Sequence, residues 1–214
     1  MPVSFDICEV YETLMGESGA SGWPCTLVRM GGCNLRCSYC DTRFALSEHT
    51  RLSIEEVLSR VKVPYPRHVL VTGGEPLIQP GTPRLLESLV ERGHTVYLET
   101  NGSLDVSAID RRVRRVIDMK CPGSGESGKN RYHNLDHVNP LDEVKFVISN
   151  REDFLWAKGL VERSGICTRA AVLFSPVAGR LEPRDLAEWI LEEKLEVRFQ
   201  VQLHRILWGE RRGV

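Results

Sequence analysis

With 214 residues, 42% of them hydrophobic, the chain is long enough to close a substantial core as one domain, residues 1–214, and needs no second. Its 28 basic and 29 acidic side chains nearly cancel and form no run of one sign, so no field is offered to a nucleic acid or a charged membrane, and the expected partner is small. No apolar run approaches a membrane span, and Met1-Pro2-Val3-Ser4-Phe5-Asp6 lacks the basic and apolar regions of a signal peptide, which predicts a cytoplasmic protein whose thiols stay reduced.

Residues 5–14 alternate loosely and predict an edge strand. They run into Met15-Gly16-Glu17-Ser18-Gly19-Ala20-Ser21-Gly22, whose small residues suit either close approach of backbone to a ligand or a plain surface turn. Residues 25–30 are an apolar run suited to a buried parallel strand, broken only by Arg29. A buried guanidinium needs a partner, either a carboxylate at a site ahead of it or a structural ion pair. Just beyond stand Cys33, Cys37 and Cys40. A strand followed by such a loop can wrap one soft metal centre, and three cysteines leave a four-iron cluster one iron short of a protein ligand, open to a chelating group. A zinc knuckle would want a fourth Cys or His at short range, and the nearest is His49, with no second ligand pair beside it. Cys8, Cys25, Cys121 and Cys167 are scattered in mostly apolar company, which suits small buried residues better than disulfides or ligands.

Ser53 and Glu56 form a capping box before a helix with Ile54, Val57, Leu58 and Val61 on one face. Residues 68–72 predict a strand that runs straight into Gly73-Gly74-Glu75-Pro76. Thr82-Pro83 starts a helix carrying Leu85, Leu86, Leu89 and Val90, Gly93 stops it, and a strand over 95–98 leads to Glu99-Thr100-Asn101-Gly102. Further strands are expected over 115–120, 144–148 and 170–174, with helices near 151–163 and 183–193 and a last alternating segment at 197–203. This beat predicts a parallel α/β architecture with right-handed crossovers, too short for an eight-stranded barrel and so an incomplete (β/α)6-type partial TIM barrel. The conspicuous polar residues, including Asp118, Lys120 and Ser175, fall at the carboxyl ends of strands, where such barrels keep their chemistry.

The cysteine spacing resembles the radical S-adenosylmethionine superfamily. Within it the chain resembles the 7-carboxy-7-deazaguanine synthases over almost its full length. That likeness rests on Gly31-Gly32-Cys33-Asn34-Leu35-Arg36-Cys37-Ser38-Tyr39-Cys40-Asp41-Thr42, on Thr72-Gly73-Gly74-Glu75-Pro76-Leu77, on Glu99-Thr100-Asn101-Gly102, on the segment from Asp118 to Gly125, and on Gln202-Leu203-His204 with Leu207-Trp208-Gly209. The resemblance implies a carbon–nitrogen lyase of 7-deazapurine and queuosine biosynthesis, converting 6-carboxy-5,6,7,8-tetrahydropterin to 7-carboxy-7-deazaguanine with loss of ammonia. It implies a [4Fe-4S] cluster on Cys33, Cys37 and Cys40, and S-adenosyl-L-methionine held by Tyr39, Asp41, Gly73, Gly74, Glu75, Glu99 or Asn101, Lys120 and Ser175. It further implies Mg²⁺ on Thr42, and substrate contacts from Leu14, Met15, Gly16, Glu17, Arg29, Thr72 and the carboxylate of Val214. An electron donor such as flavodoxin or ferredoxin and a homodimer complete the expectation.

Two departures stand out: the family's Gln-Gly-Glu-Gly loop reads Met15-Gly16-Glu17-Ser18 here, losing an amide and a glycine. His204 is expected to pack rather than carry protons. The rivals are a radical activase acting on a glycine of a partner protein and a metal-bound interaction module without turnover. Asp41-Thr42 and the small-residue loop favour the small-molecule enzyme.

Overall fold

The computed structural model describes residues 3–62 and 64–214; Met1 and Pro2, which begin the stretch examined for a signal peptide, lie outside the described residues. Among those described, nine strands form one sheet: β1 (Ser4–Leu14), β2 (Pro24–Met30), β3 (Thr50–Ser53), β4 (His68–Gly73), β5 (Thr95–Thr100), β6 (Arg114–Asp118), β7 (Glu143–Ile148), β8 (Ala171–Pro176) and β9 (Arg198–Phe199). Their order is β3-β1-β2-β4-β5-β6-β7-β8-β9, and everything from β2 onward runs parallel. The ends of that order do not pair with each other, so the barrel is partial, as expected.

Four helices, α1 (Ile54–Arg60), α2 (Thr82–Glu91), α3 (Arg151–Ser164) and α4 (Pro183–Glu192), cover one face of the sheet. The capping box forms: Glu56 N–H donates to Ser53 Oγ and Ser53 N–H to Glu56 Oε2. It supports a helix of only two turns and contributes about 1 kcal/mol. Leu85, Leu86 and Leu89 of α2 are fully buried against Val69, Val71, Val96 and Leu98. Phe154, Ala157 and Leu160 of α3 meet Val144, Phe146, Val172 and Phe174 in a second cluster. Parallel register puts these strand residues on one side, since Val71 pairs with Leu98, Ile117 with Val144 and Phe146 with Phe174. Alternation therefore sends Thr72, Glu99, Asp118, Lys145 and Ser175 to the other face.

Two local expectations change, and one stretch of the regular beat has no helix. The first strand is not at the edge, because β3 adds to it antiparallel with Ser4 opposite Ser53, and β1 itself runs antiparallel to β2. The crossovers from β5 to β6 and from β6 to β7 carry no α-helix among the described residues. In the first of these, Asp105 and Asp110 accept from the Ser107 and Arg112 N–H groups at 2.8 Å and turn the chain locally instead. The last alternating segment yields only Arg198–Phe199 as strand and then α5 (Leu203–Trp208). Gln200 and Gln202 spend their side chains on the 15–22 loop rather than continuing the sheet.

Candidate active site

The cysteine loop leaves the carboxyl end of β2 and is tied down at several points. Ser38 N–H donates to Ser124 O at 2.9 Å, Arg180 Nη1 to Ser38 Oγ at 3.0 Å, Arg36 N–H to Glu126 Oε1 at 2.6 Å, and Asn101 Nδ2 to Asn34 Oδ1 at 3.0 Å. Cys33, Cys37 and Cys40 are free and partly buried. Burial pushes the Cys33 and Cys37 thiols up, while Lys120 pulls both back. The loop after β4 is packed against this one. A Cβ on Gly73, whose φ is 138°, would lie 2.2 Å from Met30 O, and one on Gly74 would lie 1.9 Å from Gly32 O and 2.9 Å from Cys33 Cβ. Both glycines are thus required by the chain's own backbone, a reason independent of any ligand.

These donors fit the implied cluster. Leu35 N–H donates to Cys33 Sγ at 3.4 Å and the Asn101 amide lies 3.7 Å from the same sulfur, the kind of contact that stabilises a metal-bound thiolate. Among the described residues no three His, Cys, Asp or Glu side chains are gathered tightly enough for a single metal ion.

Beside the cysteines, the helix-free face carries a polar row one residue deep. Thr72 Oγ1 donates to Glu99 Oε2 at 2.9 Å, and Lys120 Nζ to Asp118 Oδ2 at 2.9 Å. Lys145, paired in register with Asp118, donates from Nζ to Glu17 Oε2 and stands 3.8 Å from Asp118 Oδ2. Burial alone would raise the Glu17 carboxyl, but Lys145 and Gln202 outweigh it and hold it at about 2 instead of 4.5. Burial pushes Glu99 up despite Lys145, and Glu17 adds to the rise. Burial also works against the Lys145 charge, yet Glu17, Glu99 and Asp118 together keep its pKa well above the usual lysine value. Asp118 Oδ1 and the Ser175 hydroxyl are buried with no partner among the described residues.

Several expected residues are committed elsewhere. Glu75 is fully buried and its oxygens accept from Leu77 N–H, Thr100 Oγ1 and Asn101 N–H, at 2.6 to 2.9 Å. It joins the Gly-Gly-Glu-Pro turn to the end of β5. Met15 is fully buried in the apolar cluster beneath the polar row, with Cys25, Leu27, Leu70 and Tyr97, so its side chain is no wall against a ligand. Arg29 takes the structural ion-pair option: Nε donates to Glu9 Oε2 at 2.9 Å and its guanidinium lies 5.7 Å from the Phe44 ring centre. Tyr39 packs under Arg180 at 5.8 Å and donates to Val147 O at 3.4 Å. Thr42 precedes a short 3-10 turn, Arg43–Leu46, with Oγ1 3.7 Å from Cys40 Sγ, and exposed Asp41 is 3.6 Å from Arg205.

Around the mouth, the 15–22 loop and the tail hold each other. Leu203 N–H donates to Gly16 O at 2.9 Å, and His204 Nδ1 fills the space where a Gly16 Cβ would stand 2.1 Å away, so His204 packs as expected. Gln200 brackets Ser18, accepting from its N–H at 2.8 Å and donating to its O at 2.6 Å, which lets Ser18 keep a φ of 74° where the family has glycine. Leu14 ends β1 close by, half-buried. Val214 O accepts from Thr13 Oγ1 at 2.7 Å, and Arg212 stacks 3.5 Å from the Phe44 centre while reaching Glu48 Oε2 at 2.9 Å. Sequence reasoning missed Lys145, Gln200, Glu9 and Arg212. Lys145 had left the same trace as Arg29, a single cation inside an apolar strand.

Residues 27–162 match the family model of the radical SAM superfamily. The 7-carboxy-7-deazaguanine synthase of Chlorobaculum tepidum is 43% identical over 98% of this chain and 97% of its own length, and that of Koribacter versatilis is 37% identical over 97% and 99%. Among solved structures, QueE from Escherichia coli superposes with a TM-score of 0.75 over 93% of this chain and 94% of its own, at 22% identity, a likeness of fold. With a superfamily match across most of its length and full-length relatives at 37 and 43% identity, the chain belongs to the 7-carboxy-7-deazaguanine synthases of the radical SAM superfamily.

Proposed function

We propose that this chain converts 6-carboxy-5,6,7,8-tetrahydropterin to 7-carboxy-7-deazaguanine with loss of ammonia. The observation that carries the reading is the row Thr72, Glu99, Asp118 and Lys145 on the face opposite α1–α4, with Glu17 held by Lys145 and Lys120 by Asp118, beside a cysteine loop packed on Gly74, in a chain whose relatives bear that enzyme's name. When bound, the [4Fe-4S] cluster and S-adenosyl-L-methionine supply one-electron cleavage of a carbon–sulfur bond next to the substrate. The chain's own part is to bind and orient. The Gly73 and Gly74 carbonyls would accept from the methionine ammonium, Glu99 or Asn101 would take the ribose hydroxyls, and Lys120 would neutralise charge beside Cys37. Asp41, Tyr39 and Ser175 complete the cofactor wall, Glu75 serving it through the turn it braces.

On the substrate side, Glu17 meets the N–H edge of the aminopyrimidine, Thr72 and the backbone at Leu14 and Gly16 flank it, and the tail brings Val214 beside Thr13 for the same edge. Arg29 keeps part of its guanidinium for the substrate carboxylate, with Mg²⁺ on Thr42 as the second clamp. The exposed ends of the open sheet suit a homodimer, and a flavodoxin or ferredoxin serves as electron donor. No helix among the described residues is long and apolar enough to cross a membrane, in keeping with work in the cytoplasm. The activase and the interaction module have nothing comparable in their favour.

The test is anaerobic reconstitution followed by reduction with the carboxytetrahydropterin present. The reading requires iron and sulfide in cluster proportion, 5′-deoxyadenosine, and the deazaguanine as product; hydrogen abstraction without ring contraction would overturn it.

A further inference from the structure

Lys145 is a buried cation that none of the assignments above uses. Its side chain is 7% exposed and its partner's, Glu17, 11%. It comes from the middle of β7, a rigid element, whereas Glu17 belongs to the loop that follows β1, 128 residues earlier in the chain. Lys145 binds Oε2 of Glu17 while Gln202 Nε2 donates to Oε1 at 2.6 Å, so the two oxygens are gripped from separate elements and the plane of the carboxylate is fixed. Each oxygen keeps a further lone pair. The same ammonium is 3.8 Å from Asp118 Oδ2, and Glu99 is its other acidic neighbour. Glu17, Glu99 and Asp118 therefore share two cations, Lys145 and Lys120. Without Lys145 these carboxylates would keep one ammonium between them, and repulsion from Asp118 and Glu99 would act on the one group of the three that is carried by a loop and not by a strand.

We propose that Lys145 is a positioning residue for the substrate: it holds the Glu17 carboxylate in the orientation that receives the N–H edge of the aminopyrimidine, and it separates that carboxylate from Asp118 and Glu99 on the cofactor side. The proposal rests on the pterin reading above and adds to it a residue that touches neither ligand. A purely structural lysine would cost stability when replaced and would treat both ligands alike. A positioning lysine weakens the ligand that Glu17 faces.

The experiment measures equilibrium binding to the reconstituted, unreduced full chain by calorimetry, with 7-carboxy-7-deazaguanine as the probe of the aminopyrimidine subsite and S-adenosyl-L-methionine as the reference. Lys145→Met is expected to weaken the deazaguanine at least about tenfold, the loss of one charge-assisted contact, while S-adenosyl-L-methionine changes less than about twofold. Lys145→Arg restores part of the loss. On reduction, Lys145→Met forms more 5′-deoxyadenosine per deazaguanine than the unaltered chain. Should Lys145→Met not fold, Lys145→Gln keeps a hydrogen-bond donor without the charge and is expected to show the same selective loss. Deazaguanine affinity unchanged in the variants, or both ligands weakened equally, overturns the positioning role while leaving the reaction intact. An unaltered chain that cleaves S-adenosyl-L-methionine but binds no deazaguanine overturns both.

Discussion

Two buried ion pairs lie on opposite faces of the same sheet and are built to different ends. Arg115, which pairs in register with Leu98, points to the helix-covered side. Its Nε donates to Asp142 Oδ1 at 3.0 Å, Nη1 to Val106 O at 3.1 Å and Nη2 to His137 O at 2.7 Å, while Asp142 Oδ2 also accepts from Asn139 N–H at 2.7 Å. The two charges cancel and the side chains are 2% and 0% exposed, with only the neutral Asn139 side-chain amide nitrogen beside them left without a partner among the described residues. The Lys145 group on the other face is unbalanced, with more carboxylates than ammonium groups and a buried Asp118 oxygen that nothing among the described residues satisfies. A scaffold pair closes on itself. A group whose charges are left over is the one that can still take up an outside partner.

That contrast breaks first at Arg115. Arg115→Ala strands a buried carboxylate and two carbonyls and is expected to cost about 3–5 kcal/mol, read as a fall in the urea midpoint at unchanged slope. Lys145→Met should cost clearly less, because its partners can still reach Lys120 or take up a proton. Equal losses would remove the distinction between the two faces. The next effect is confined to acid. The Glu17 carboxyl, held at about 2 against an ordinary 4.5, gives stability that is fully present above about pH 4.5 and disappears as pH falls toward 2. Glu99 and Glu75, both raised by burial, have the opposite sign: what they contribute is present below the ordinary carboxylate range and declines as pH rises through their raised values. Glu17→Gln is therefore expected to flatten the acid limb of a denaturation series between pH 4.5 and 2 and leave the upper limb as it was. An acid limb that keeps its slope would mean that other carboxylates carry it.

How much of this could be read in the sequence follows from distance along the chain. The cysteine loop, the Gly-Gly-Glu-Pro turn and the capping box are local, so spacing alone revealed them, and the parallel order followed from strands alternating with helices. Glu75 and Met15 are residue types that suit a ligand as well as they suit a core, and nothing in their spacing shows that both are fully buried. Lys145 and Gln200 were overlooked because their partners, Glu17 and Ser18, lie 128 and 182 residues away, and no periodicity marks a contact of that span. Between β5 and β7, where the sequence offers no helical pattern, side chains such as Asp105 and Asp110 bond their own backbone and turn the chain instead.

The smallest expected effect sharpens the comparison most, because it reverses sign between stability and binding. Ser175 is 1% exposed near the carboxyl end of β8, on the face opposite α1–α4, and its hydroxyl has no partner among the described residues. A buried hydroxyl that nothing satisfies is a net cost to the folded state, so Ser175→Ala should raise stability by about 1 kcal/mol in the chain without cofactor. If the hydroxyl serves S-adenosyl-L-methionine, the same change weakens that ligand severalfold, and the stability gain shrinks when the cofactor is added, since binding is linked to folding. A gain that persists unchanged at saturating cofactor would make Ser175 an ordinary packing flaw. The open character of this face would then rest on Asp118 and Lys145 alone.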